Sequence, residues 1–351
     1  MHLKINKRSR GRMAAAVSAS AVLALGVAAC GSDDSTSSDS GSTGGDVSGD
    51  VSLVAYSTPQ DVYEKELGPD FQAGDGADVE LAYSFGSSGD QSRAVEAGAP
   101  ADVIHLALEP DMTRVVDVGA VAEDWAEQEP AVGPQTSVVA FTVRGGNPKD
   151  ITEWDDLIRD DVQVVTPNPF TSGGAKWGIM AAYGQAINNG ASEEEALDFV
   201  GEMLANAPVQ DASASDALET FVGGEGDVLI SYENESIRAQ DAGEDVEYIV
   251  PDDTIQIDTV AAVSAESANP EAAQAFLDYL YTPEAQQIWA DSGYRPVDPE
   301  VLKENEDKFP VPKGLFTIED LGGWETVATE FFDSENGSIA EIESDLGQPT
   351  G

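Results

Sequence analysis

The sequence has little of what most catalytic and metal sites need. Its 351 residues include one cysteine, Cys30, and two histidines, His2 and His105. A disulfide within the chain is excluded. Zinc would find one imidazole beyond the N-terminal segment and no second thiolate, so no metal and no cofactor are expected. A Ser-His-Asp triad would have to use His105, which lies in the apolar run DVIHLAL and reads as a strand residue near a surface. Basic residues are scarce as well: 17 Lys+Arg stand against 66 Asp+Glu, a formal charge of −49. A chain this acidic is repelled by polyphosphate and by anionic membrane surfaces, which argues against nucleic acid as a partner. With so many acids, carboxylate pairs point to no particular site. No GxxxxGK[ST] phosphate loop, EF-hand loop or 20–50-residue repeat occurs. The chain is nevertheless 41% hydrophobic and long enough for about two domains with a core.

The positive charge is concentrated at the start. Lys4, Lys7, Arg8, Arg10 and Arg12 precede a run of apolar and small residues from Met13 to Ala29, the pattern of an export signal. The run is too short and too rich in alanine for a permanent span. Val27-Ala28-Ala29-Cys30 resembles a bacterial lipobox, which makes Cys30 the expected lipidation site and 1–29 a lipoprotein signal peptide. Residues 1–29 carry five basic and no acidic side chains, so their removal takes the charge from −49 to −54. Residues 30–50, rich in Ser, Gly, Thr and Asp, read as a flexible tether, and a folded body is expected from about Val51.

Within that body short apolar runs alternate with amphipathic stretches. Strands are expected at 51–56, 78–83, 102–106, 137–143, 162–166, 227–232, 246–250 and 259–263, and helices at 193–204, 270–281 and 283–291. The alternation predicts an α/β protein with mostly parallel sheets. Two Gly/Ser turns stand out because each follows a strand and opens a helix: SFGSSGDQSRAV, with Ser88 as the expected cap, and PNPFTSGGAKWG, with the helix running on from Gly174. Free N–H groups and the positive dipole end at such a start favour an anion, and glycine lets it approach the backbone.

SSGDQSRAV (87–95), GNPKDITEWDDL (146–157), NPFTSGGAKW (168–177), GDVLISYENES (226–236) and GYRPVDPEV (293–301) resemble, in order, the sulfate- and thiosulfate-binding proteins of bacterial ABC importers. The resemblance runs from about Val51 to Trp324. It implies a class II periplasmic-binding-protein fold, with lobe one from 51–134 plus 255–339, lobe two from 135–253, a tail at 340–351 and the ligand between the lobes. It also implies a monomer that binds sulfate or thiosulfate, does no chemistry and meets an ABC permease, while the lipobox places it at the outer face of the membrane through lipid on Cys30. Carried over residue by residue, the ligand contacts fall on Ser57, Ser88, Ser172, Gly173, Gly174, Ala214 and Tyr232. Two positions depart from the family pattern: Tyr232 replaces a tryptophan and Ser57 an aspartate, with lesser changes at Phe85, Asp90 and Phe170. These departures leave molybdate or an organosulfonate as an alternative ligand, and a secreted hydrolase as a third reading. Asp90 is expected to face solvent as a first-turn acid.

Overall fold

The computed structural model describes residues 47–127 and 132–350. Its first strand explains the apolar run that begins the folded body. In β1 (Ser48–Tyr56), Val51, Leu53 and Ala55 pack on one face with Tyr63, Phe71, Phe276 and Trp289, while Val54 packs on the other with Ile104, Met112 and Val115. A strand covered on both faces reads as a continuous hydrophobic run. β1 lies parallel to β2 (Asp78–Gly86) and β3 (Val103–Leu106), and β10 (Val260–Val263) closes the sheet antiparallel to β3, in the order β10-β3-β1-β2.

The second sheet has eight strands on the path β12-β9-β4-β7-β5-β6, with β8 and β11 also pairing with β4. It is mixed. β4 (Gln135–Arg144) runs antiparallel to β7 (Val228–Tyr232), β8 (Val246–Ile249), β9 (Asp253–Asp258) and β11 (Arg295–Pro296). β5 (Val164–Pro167) is parallel to β6 (Gln210–Asp211) and β7, and β12 (Gly314–Phe316) is parallel to β9. All eight strands expected from the sequence are present. Three of the four added ones, β6, β11 and β12, span only two or three residues and carry no periodicity of their own.

The chain returns from the larger sheet to the smaller at Thr259, between β9 and β10. The span 255–339, expected in lobe one, is therefore divided between the sheets. β9 and β12 hydrogen-bond into the larger sheet, and Ile255, Ile257, Phe316, Trp324, Val327 and Ile339 share its core with Phe141 and Trp177. Trp177 meets Trp324 edge to face at 4.7 Å between ring centroids, a geometry that adds about 0.5–1.5 kcal/mol to the burial of the two rings. The expected tail also contains order. Helix continues from Ser338 to Asp345, buried Glu343 accepts two bonds from Gln210 Nε2, and the Pro349 carbonyl accepts one from Asn168 Nδ2. The tether assignment overlaps β1, which begins at Ser48.

His105, expected near a surface, is buried in the middle of β3. Thr259 Oγ1 donates to the Gln135 carbonyl at 3.0 Å, which leaves it to accept from His105 Nε2–H at 3.1 Å. Nδ1 then accepts the Tyr63 hydroxyl at 2.9 Å. Burial pushes the imidazole down to about 3, so it is neutral at physiological pH.

Candidate functional site

Parallel strands place their carboxyl ends at one edge of a sheet, the usual location of ligand crevices in α/β proteins. In the smaller sheet β1, β2 and β3 lead there to Ser57, to Ser87-Ser88 and to Ala107. In the larger sheet β5, β6 and β7 lead to the loop before Ser172, to Ser213 and to Tyr232. The two edges meet. Gly89 N–H donates to the Thr171 carbonyl at 3.1 Å, Trp177 Nε1–H donates to the Ala107 carbonyl at 2.9 Å, and the Tyr56 and Tyr232 rings lie 6.3 Å apart.

Four helices begin at this junction: α1 (Ser88–Glu96), α3 (Gly173–Asn188), α5 (Ala214–Val222) and α6 (Glu233–Asp241), with α2 (Glu109–Asp117) and α4 (Glu193–Ala205) lying between them in the chain. Ser172 caps α3 by accepting from Ala175 N–H, and Ser213 caps α5 by accepting from Asp216 N–H. These serines satisfy later amides in the first turn, while the opening N–H groups of Gly173, Gly174 and Ala214 remain at the positive end of the dipole.

Gly174, Ala214 and Tyr232 come together. A methyl group on Gly174 would lie 2.8 Å from Tyr232 Cε2, 3.3 Å from its hydroxyl and 3.3 Å from Ala214 Cβ. Only glycine lets the tyrosine ring lie this close to the helix start. The Tyr232 hydroxyl is buried and has no hydrogen-bond partner among the described residues. Burial, with Tyr56 and Glu235 nearby, holds its phenol well above the ordinary value, so it stays a neutral donor. A buried donor without a partner costs about 1–3 kcal/mol, and an anion beside Gly174 would relieve that penalty.

Gly173 also packs tightly against the other sheet's edge. A methyl group there would lie 2.7 Å from Ala107 Cβ and 2.8 Å from Leu108 Cδ2, so the glycine makes room for the opposite lobe. Ser57 is half-buried immediately after β1, and its carbonyl accepts from Gln60 N–H.

Ser88 is the clearest departure from expectation. Ser87 is the N-cap residue of α1 and Ser88 is the first helical residue. The Ser88 hydroxyl donates to Asp111 Oδ2 at 2.6 Å and accepts Ala107 N–H at 3.0 Å, so in this geometry its one proton goes to a carboxylate. Asp111 is buried at the start of α2, and Arg114 Nη1 lies 3.3 Å from its Oδ1. Sequence reasoning did not single it out, because nothing distinguishes one carboxylate among 66 acids. Asp90 points to solvent, accepting from the Ser87 hydroxyl and pairing with Arg93. Among the described residues no three His, Cys, Asp or Glu side chains gather as a metal site would require. Cys30 lies outside the described residues.

Comparison with known proteins agrees with this architecture. The family profile described as bacterial extracellular solute-binding protein matches residues 51–295. A sulfate-binding protein of Synechocystis sp. is 36% identical over 93% of this chain and 96% of its own length. That of Escherichia coli K12 is 40% identical over 82% and 91%. A thiosulfate-binding protein of Pseudomonas aeruginosa is 36% identical over 80% and 88%. The solved structure of the sulfate-binding protein SubI from Mycobacterium tuberculosis H37Rv superposes with a TM-score of 0.78 at 43% identity, covering 81% of this chain and 99% of that one. The chain thus belongs to the bacterial extracellular solute-binding proteins, in the group formed by the sulfate- and thiosulfate-binding proteins.

Proposed function

We propose that the protein captures sulfate or thiosulfate outside the cytoplasm and delivers it, chemically unchanged, to an ABC permease. The observation that carries this reading is the buried Tyr232 hydroxyl, without a partner, against Gly174 and Ala214 at two helix starts. An oxyanion there would accept from the N–H groups of Ser57, Ser88, Gly173, Gly174 and Ala214 and from the Tyr232 and Ser172 hydroxyls. All are neutral donors, and charge-assisted bonds of this kind contribute roughly 1.5–3 kcal/mol each. The ligand is thereby held by local dipoles, and the acidity of the surface beyond a Debye length of about 8 Å matters little to the bound state.

Relatives 36–40% identical are named for sulfate or thiosulfate, which favours these anions over molybdate or an organosulfonate and a binding protein over a hydrolase. Among the described residues no helix is long and apolar enough to cross a membrane. Attachment through lipid on Cys30 and a monomeric state complete the proposal. Mass spectrometry of the membrane-bound form, set against release of Cys30→Ala into the medium, tests the anchor.

Calorimetry against sulfate, thiosulfate, molybdate and phosphate tests the ligand. One tight site for sulfate or thiosulfate is expected, with phosphate more than tenfold weaker because its O–H needs an acceptor among groups that are mainly donors. Ligand at a hundred times Kd adds about 2.7 kcal/mol of stability. A melting temperature unmoved by any of the four anions would remove the oxyanion reading.

A further inference from the structure

A protein of charge −49 that takes up a dianion faces a problem of approach, and the structure contains a local answer. A cavity of about 300 Å³ borders the proposed oxyanion site, sharing Ser172 and Gly173 with it. Arg93 of α1, Arg114 of α2 and Lys176 of α3 all line it. Three of the chain's 17 basic residues thus face one cavity, although acids outnumber bases almost fourfold.

The three cations are not equally neutralised. Arg93, partly exposed at the rim, pairs with Asp90 at 2.6 Å. Arg114 reaches Asp111 at 3.3 Å and Glu96 at 3.8 Å. Lys176 has no ion pair and no hydrogen bond among the described residues, and its Nζ lies 5.4 Å from the Phe332 ring centroid. Burial pushes its ammonium down; Asp111 opposes that shift, while Arg114 and Arg93 add to it. Asp111 and Asp333 also line the cavity, but Asp111 is engaged by Arg114 and the Ser88 hydroxyl, so three cations face two carboxylates and Lys176 is left without a direct ion pair among the described residues, a place where an added anion lowers the electrostatic energy.

We propose that this cavity is a capture vestibule, a second and weaker binding place for the inorganic oxyanion, which docks on Lys176 and Arg93 before passing to the neutral donors at Gly173, Gly174 and Ala214. The inference rests on the sulfate or thiosulfate reading of the inner site. Its physical content is kinetic. Fixed positive charge at the mouth of a cleft raises the rate of encounter and is screened by salt, whereas koff is set by short-range contacts at the inner site, so losing a vestibule charge raises Kd only through kon.

Stopped-flow tryptophan fluorescence with sulfate tests it on the whole protein, comparing wild type with Lys176→Met and, for a position on the rim where folding is not at issue, Arg93→Gln. At low ionic strength each variant should associate several-fold to about tenfold more slowly, with koff unchanged. The difference should vanish as sodium chloride is raised to about 1 M, where the Debye length is near 3 Å. Equal kon values for wild type and both variants at low salt would overturn the vestibule. So would a change confined to koff, which would place Lys176 in the final site. If wild type gives no sulfate signal in fluorescence or calorimetry, the functional reading itself fails, an outcome distinct from either of these.

Discussion

Tyr232 and Ser88 show one buried hydroxyl left without a partner and another bonded into the fold. The Tyr232 phenol lies buried beside Gly174 without a partner. Tyr232→Phe should lower sulfate affinity by about 1–3 kcal/mol while leaving the unliganded protein as stable or slightly more so, because an unpaired buried hydroxyl is removed. Calorimetry and thermal melts on the same samples separate the two effects; unchanged affinity would take Tyr232 out of the site. The Ser88 hydroxyl instead bridges Asp111 Oδ2 and Ala107 N–H. Ser88→Ala leaves a buried carboxylate oxygen and an amide short of a partner, so it should cost about 1–3 kcal/mol of stability measured without ligand. A normal melting temperature with a large loss of affinity would show that the hydroxyl turns to the anion. The sequence motif marks both residues equally, and their surroundings diverge because α2 brings Asp111 to Ser88, while no described residue bonds the Tyr232 hydroxyl.

At the scale of elements, the junction between the sheets is packed too closely for an added methyl group at Gly173. Gly173→Ala would put a methyl group 2.7 Å from Ala107 Cβ and 2.8 Å from Leu108 Cδ2, across the junction. Sulfate affinity should fall more than tenfold, and small-angle scattering should show less contraction on adding sulfate than in wild type; full affinity would mean that the lobes tolerate the extra methyl. Beneath the same junction, His105 joins Tyr63 to Thr259, the residue at which the chain changes sheets. Its imidazole, near 3 when folded against about 6.5 when unfolded, is neutral in the fold. The stability it contributes is complete above about pH 6.5 and is lost as pH falls toward 3, on the order of 4 kcal/mol at the acid end. Urea titrations at several pH values should show a flatter acid slope for His105→Asn than for wild type, and parallel slopes would mean that His105 can be protonated in place. Much of this level was legible in the sequence. Apolar runs located eight strands, apolar spacing located the helices at 193–205, 270–279 and 283–291, and the Gly/Ser turns lie at the junction. The rest was not, because it depends on partners distant in sequence. β12 exists only by pairing with β9, the segment 323–345 packs on the larger sheet because Trp324 meets Trp177, and the seclusion of His105 follows from covering both faces of β3.

For the whole molecule, the governing quantity is the charge. Removing residues 1–29 takes it from −49 to −54, and few of the acids have a basic partner: each of the ion pairs in the structure draws on the same small stock of 17 Lys+Arg. The surplus carboxylates repel one another most in the compact state, where they are closest, so self-repulsion subtracts from folding stability and long-range attraction adds little. Exposed pairs such as Lys65–Asp61 and Lys313–Asp252 lie in water and contribute about 0–1 kcal/mol, too little to offset that surplus. Added salt shortens the Debye length from about 10 Å at 0.1 M to about 3 Å at 1 M, below the spacing of most surface charges. The melting temperature of the sulfate-free protein should therefore rise steadily with sodium chloride over that range, and the rise should be matched by potassium chloride, since screening depends on ionic strength and not on which cation is present. Sulfate itself should depart from this line, giving a larger shift at millimolar concentration than any chloride salt at equal ionic strength, because it occupies a site as well as screening. A melting temperature indifferent to chloride would mean that the acidic surface is already neutralised by tightly held counterions, and self-repulsion would then have no part in setting the stability of the fold.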